Sequence, residues 1–169
     1  MFSAVDDRAA EARQGACVFA GGAVRSLALR EFRDGFMPYA GAAVKDEFEN
    51  LKSTLPDLIF THNRRDAHQD HRLLAELTWN TFRDHLILEY EIPKYDGDLG
   101  QPNVFVPLDE KLCERKVQFL MDTFRSQRSK RWFHRETFLS LMRLRGIECN
   151  APAGYAEAFY CRKLVLPFK

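Results

Sequence analysis

Two rhythms of apolar and polar residues alternate along this chain. Apolar residues recurring every three or four positions predict a helix with one buried face, and short continuous apolar runs predict strands. The stretch DDRAAEARQGACVFAGG, residues 6–22, places acidic residues first, alanine-rich helix formers in the middle and a glycine pair last, which predicts a helix over 7–19. SLALREF, residues 26–32, alternates small or charged with apolar side chains before Asp34-Gly35, the pattern of a short strand closed by a turn. In GAAVKDEFENLKSTL, residues 41–55, Val44, Phe48, Leu51 and Leu55 stand at helical spacing and predict an amphipathic helix. PDLIFTH, residues 56–62, is a continuous apolar run suited to a strand buried on both faces of a parallel sheet.

The second half continues the alternation. RLLAELTWNTFRDH (72–85) predicts a helix with Leu73, Leu77 and Phe82 among its apolar positions, and LILEYEIP (86–93) a strand ended by Pro93. A loop with Gly97 and Gly100 follows, then a helix over 109–127 with Leu112, Val117, Leu120 and Phe124 on its buried side. RETFLSLMRLRG predicts a further helix ending at Gly146, and EAFYCRKLVL a closing strand over 157–166. Helix and strand alternate throughout, which predicts an α/β fold with a mostly parallel sheet covered on both faces. A length of 169 residues fits a single domain spanning 1–169, large enough to bury its own core.

Composition narrows the classes of function. With 46% hydrophobic and 29% charged residues the chain has the balance of a globular protein rather than a disordered tail. A net charge of +1 supplies no field for nucleic acid or an anionic membrane, and the basic run RSQRSKRWFHR (125–135) reads first as a solvated helix end. No apolar run approaches the roughly 20 residues that cross a bilayer, so membrane insertion is not expected. Cys17, Cys113, Cys149 and Cys161 are scattered without a C-x-x-C pair, which suits reduced thiols in a cytoplasmic protein.

The chemistry concentrates in THNRRDAHQDHR, residues 61–72, with three of the five histidines and two aspartates immediately after an apolar run. In open parallel sheets, sites form at the carboxyl ends of strands. Imidazole binds divalent metal through a ring nitrogen, a neighbouring carboxylate orients it, and a second histidine stabilises an oxyanion or protonates a leaving amine. Asp66 either caps the following helix or faces the site, and His62 closes the strand end. His85 and His134 stand apart and read as packed or surface residues. A hydrolytic zinc takes about three protein ligands plus water, and this segment supplies one or two.

At PDLIFTHNRRDAHQDHR the sequence resembles the LmbE-like / PIG-L family of zinc-dependent de-N-acetylases. RAAEAR, FRDGFMPY, KVQFLMDTFRSQ and YAEAF resemble further motifs of that family, and the P-D-L-I-x-T-H and H-x-D-H pair is the most specific part. The resemblance implies a Rossmann-like three-layer sandwich, a Zn2+ ion, and hydrolysis of an N-acetyl group on an N-acetylglucosamine-type sugar conjugate by metal-activated water. By position it makes His71 the metal ligand, Asp70 the residue that tunes the neighbouring histidine, and His68 the oxyanion-stabilising or general-acid group. Arg8, Asp34 and Asp66 fall on the substrate side. Other divalent ions suit the same ligand types.

The chain departs from the family in one respect. The motif A-H-P-D-D-E, which there supplies two zinc ligands and the general base, does not occur in these 169 residues. MFSAVDD, residues 1–7, looks like the family's second strand running into its first long helix, with Asp6 and Asp7 suited to capping and not to ligation. The expectation is therefore a fold without its first strand and with an incomplete site. The alternative is a noncatalytic remnant or interaction domain that keeps the fold. An uncovered apolar sheet edge invites self-association or an N-terminal complementing segment.

Overall fold

The computed structural model describes residues 7–165. Within them are five α-helices, α1 (Asp7–Phe19), α2 (Gly41–Leu51), α3 (Gln69–Thr81), α4 (Glu110–Thr123) and α5 (Arg135–Glu148). Four strands, β1 (Leu58–His62), β2 (Leu86–Tyr90), β3 (Val104–Leu108) and β4 (Tyr155–Tyr160), form one sheet in the order β1-β2-β4-β3. The class is α/β of Rossmann-like type. The strand expected over residues 1–5 lies outside the described residues, and none of the described helices is long and apolar enough to cross a membrane.

The chain gathers into two compact units. The first contains α1, α4 and α5, and its core is Leu108, Cys113, Val117, Phe133, Phe138 and Met142, with Leu120, Phe124 and Tyr155 packed against it. Asp109 starts α4 by accepting the Leu112 N–H at 2.7 Å, the usual work of an N-cap carboxylate. Cys113, not Leu112, takes the buried position, because Leu112 stays 37% exposed. Burial, chiefly, pushes the Cys113 thiol up and keeps it unreactive. On α1, Glu11 accepts both the N–H and the hydroxyl of Ser126 at 2.7 Å, so the RAAEAR and FRSQ segments meet. The basic run is tied down at the end of α4: Arg125 donates to the Asp122 carbonyl and Arg128 to that of Met121, where cations complement the helix dipole.

The second unit holds α2, α3, β1 and β2 together with parts of β3 and β4. β1 and β2 run parallel, with Thr61 opposite Glu89 and His62 opposite Tyr90, and α3 is their crossover. β4 lies antiparallel on the other side of β2, pairing Phe159 with Tyr90.

Several sequence expectations change for physical reasons. Residues 26–32 form no strand beyond an isolated bridge at Glu31, since alternation specifies a face but supplies no partner. Leu55 is 85% exposed and lies beyond α2, which closes at Leu51 where the Thr54 hydroxyl donates to the Leu51 carbonyl. β1 is not buried on both faces: among the described residues it ends the sheet, and Phe60 remains 54% exposed beside Phe159. α5 continues past Gly146, whose missing side chain admits the Gly154 carbonyl and not a helix stop. The closing strand runs 155–160, launched by Gly154 at φ +74°, and leaves the ladder where the Cys161 N–H turns to Asn103. The unexpected strand β3 contains Pro107, tolerated because among the described residues β3 also ends the sheet.

Candidate metal site

The cluster occupies the junction between β1 and α3, at the carboxyl end of β1, entirely within the second unit. After His62 the chain makes a tight turn in which Asn63 Oδ1 accepts the Arg65 N–H at 2.7 Å and the Asn63 carbonyl accepts that of Asp66 at 3.0 Å. Two carboxylates hold this turn from outside: Glu89 accepts the Arg64 N–H at 3.1 Å, and Asp98 that of Ala67 at 2.7 Å. Glu89 is 2% exposed and also accepts the Trp79 indole N–H at 2.6 Å, so each oxygen of the buried carboxyl group has a donor.

α3 begins at Gln69, a turn earlier than the apolar periodicity suggested, with His68 as its cap. This start puts Asp70 and His71 in the first helical turn. His68 Nδ1 accepts the Asp70 backbone N–H at 3.3 Å. A neutral imidazole that accepts at Nδ1 carries its proton on Nε2, so His68 offers an N–H donor from its other edge.

Asp66 is 4% exposed and engages both oxygens: Oδ1 accepts the His68 N–H at 2.8 Å, and Oδ2 lies 2.9 Å from His71 Nδ1. The His71 ring packs against two others, stacked on His62 at 3.9 Å with 6° between planes and 4.5 Å from His68. The Tyr90 hydroxyl stands 3.3 Å from His62 Nε2. Burial, with the Asp66 carboxylate nearby, pushes the Tyr90 phenol up to about 12, so it remains protonated.

Asp70 is 2% exposed and faces away from this chemistry in its bonding. Its Oδ2 accepts the Gly35 N–H at 2.7 Å and its Oδ1 that of Met37 at 3.1 Å, while Gln69 donates to the Gly35 carbonyl at 2.9 Å. The DGFMPY segment, where Gly35 turns at φ +78°, is thereby pinned to the start of α3. Asp34 comes to the cluster by this tether. Arg8 belongs to α1 of the first unit.

Two groups have the composition and spacing of metal donors. His62, Asp66 and His71 bring one ligand-type atom each within 4.8 Å of one another, and so do Asp34, His68 and Asp70. Two imidazoles and a carboxylate suit zinc and related divalent ions. The second group is already occupied in holding backbone: both Asp70 oxygens and His68 Nδ1 accept N–H groups. In the first group both Asp66 oxygens are likewise engaged, and the nitrogen that His71 keeps for a cation is Nε2. Beside this group a depression is lined by Asn63, Asp66, Glu91, Ile92, Asp98 and Leu99.

The fold is shared with solved structures. N,N'-diacetylchitobiose deacetylase from Pyrococcus horikoshii, complexed with its inhibitor MPG, superposes with a TM-score of 0.67 at 19% identity, over 90% of this chain and 62% of that one. The fold is shared with a deacetylase. The conserved protein TT1542 from Thermus thermophilus superposes with a TM-score of 0.69 at 18% identity, over 96% of this chain and 75% of that one. This chain thus spans less than two thirds of the length of the Pyrococcus enzyme. No known family and no curated protein matches the sequence itself.

Glu89 and Tyr90 were legible in principle but missed. In LILEY the alternation places Glu89 on the face of Ile87, and a charge at a buried strand position is informative.

Proposed function

We propose that the β1–α3 junction is the histidine half of a metal-dependent N-deacetylase site acting on an N-acetylglucosamine-type sugar conjugate. The single observation that carries the reading is the pair of oriented imidazoles at a strand's carboxyl end: His71, with Nδ1 held by Asp66, and His68, with Nδ1 held by the start of α3. His71 would hold the ion through Nε2, with Asp66 at its Nδ1 and His62 stacked on its face. When bound, such an ion supplies water activation and polarisation of the amide carbonyl.

The remaining steps fall to the chain's own groups. His68 Nε2–H stabilises the charge that develops on the carbonyl oxygen, or passes its proton to the departing amine, while Asp34, on its pinned turn, meets sugar hydroxyls. The deacetylase fold of the Pyrococcus enzyme supports this reading. The general base that the family resemblance assigns to a His-x-Asp-Asp loop has no counterpart in these 169 residues, so slow turnover is expected.

The test is acetate release from N,N'-diacetylchitobiose with added Zn2+. Wild type is expected to release acetate about 10²- to 10⁴-fold more slowly than the Pyrococcus deacetylase, for want of the base, and His71→Ala to abolish the release. A chain that neither binds the sugar nor releases acetate above background contradicts the enzyme reading. It would favour the second one, a noncatalytic interaction domain, for which the missing His-x-Asp-Asp loop is the specific observation.

A further inference from the structure

The family resemblance assigns Asp70 to tune the neighbouring histidine and Asp66 to the substrate, yet the hydrogen bonds run otherwise. Both Asp70 oxygens are used by the Gly35 and Met37 N–H groups, and among the described residues its carboxylate makes no hydrogen bond to a histidine ring. Asp66, buried to 4% exposure, meets His71 Nδ1 at 2.9 Å and the His68 N–H at 2.8 Å, and its carbonyl accepts from Arg72 at 3.0 Å. One carboxylate therefore touches both histidines to which the chemistry has been given.

The chemistry of that contact decides the tautomer. An ionised carboxylate only accepts, so the proton between Asp66 Oδ2 and His71 belongs to Nδ1, which leaves the Nε2 lone pair exposed for a cation. His62 cannot share that cation as it lies. A ring nitrogen offers its lone pair in the plane of its ring, and two rings stacked 3.9 Å apart and 6° from parallel have no common point in both planes near the site. His62 instead covers one face of His71 and is itself met by the Tyr90 hydroxyl, so the ring is fixed from its edge by Asp66 and from its face by His62.

We propose that Asp66 is the positioning residue of this site, holding His71 as the Nδ1–H tautomer with Nε2 presented to a divalent metal, and fixing His68 through its backbone. Asp70 is the tether of the DGFMPY turn. The inference rests on the preceding reading of His71 as the metal-ligating histidine.

Long-range proton–nitrogen correlation NMR of the ion-free chain reads the tautomer directly, with His71→Asn used to identify the resonance. Wild-type His71 is expected to be protonated on Nδ1, and Asp66→Asn to shift it toward Nε2–H while lowering Zn2+ affinity about 10- to 100-fold. Asp66→Glu, which keeps the acceptor, is expected to restore the tautomer. A wild-type His71 protonated on Nε2 overturns the proposal without any variant having to fold. Unchanged tautomer and affinity in Asp66→Asn, with Zn2+ binding lost in His71→Asn, overturns the positioning role and leaves the metal reading standing. Equal Zn2+ affinity in wild type and His71→Asn overturns the metal reading and this inference with it.

Discussion

In the first unit Val117, Phe133, Phe138 and Met142 bury side chains against one another, whereas in the second the deepest groups include Asp66, Asp70 and Glu89. The two interiors obey different rules. Apolar packing is non-directional and responds to volume. Each of the three carboxylates takes a donor on both oxygens: Asp70 from Gly35 and Met37, Asp66 from His68 and His71, Glu89 from Arg64 and Trp79. Such a network contributes position more than stability, because losing one partner leaves a buried polar group without water. The site is accordingly placed where the chain's hydrogen bonds are most committed.

Substitutions that change volume and substitutions that change polarity separate these two interiors. The largest expected loss is Phe138→Ala, about 3–5 kcal/mol in urea unfolding, against under about 1.5 kcal/mol for the volume-conserving Met142→Leu. Asp70→Asn also conserves volume, yet it turns an NH2 group toward a backbone N–H and is expected to cost about 2–3 kcal/mol. If Asp70→Asn proves as mild as Met142→Leu, the contrast between the two interiors fails. Thr61→Val is expected to cost about 1 kcal/mol or less, since the Thr78 hydroxyl keeps the Leu74 carbonyl at 2.7 Å when its contact with Thr61 is lost.

Alkaline titration gives a finer reading. Tyr90, pushed up to about 12, stays protonated where an unfolded tyrosine ionises near about 10. Its contribution is complete below the unfolded value and is lost as pH rises through that window, because only the unfolded chain gives up the proton there. Phenolate absorbance is expected to show an ionisation well above the ordinary tyrosine range that is absent from Tyr90→Phe, and Tyr90→Phe to remove that part of the alkaline loss. Smallest in stability is Phe60→Lys on exposed β1, within about 0.5 kcal/mol. We expect it to lower self-association of the chain in light scattering. A monomeric wild type contradicts that expectation.

The helices were legible because amphipathic spacing and caps are local, and α1 falls on the residues its composition marks. The strands were legible only where their partners were implied. The run 58–62 is apolar enough for a central strand, but its place at the end of the sheet is a property of partners and not of its own residues. Residues 104–108 escaped because Pro107 argues against a strand everywhere except at a sheet's edge. Within the site, residue types and spacing located the cluster, and the resemblance singled out His68 and His71. Which aspartate serves which histidine was illegible, since Asp66 and Asp70 are equally close in sequence to His68, and only the approach of Gly35 and Met37, more than thirty residues away, removes Asp70 from contention.

A crystal grown with Zn2+ and measured across the zinc absorption edge tests the central claim most directly. An anomalous peak is expected about 2.0–2.1 Å from His71 Nε2, with the Asp66 contact to Nδ1 retained. A zinc ion bound to His71 Nδ1 in place of Asp66, or one held elsewhere with His71 untouched, would contradict it.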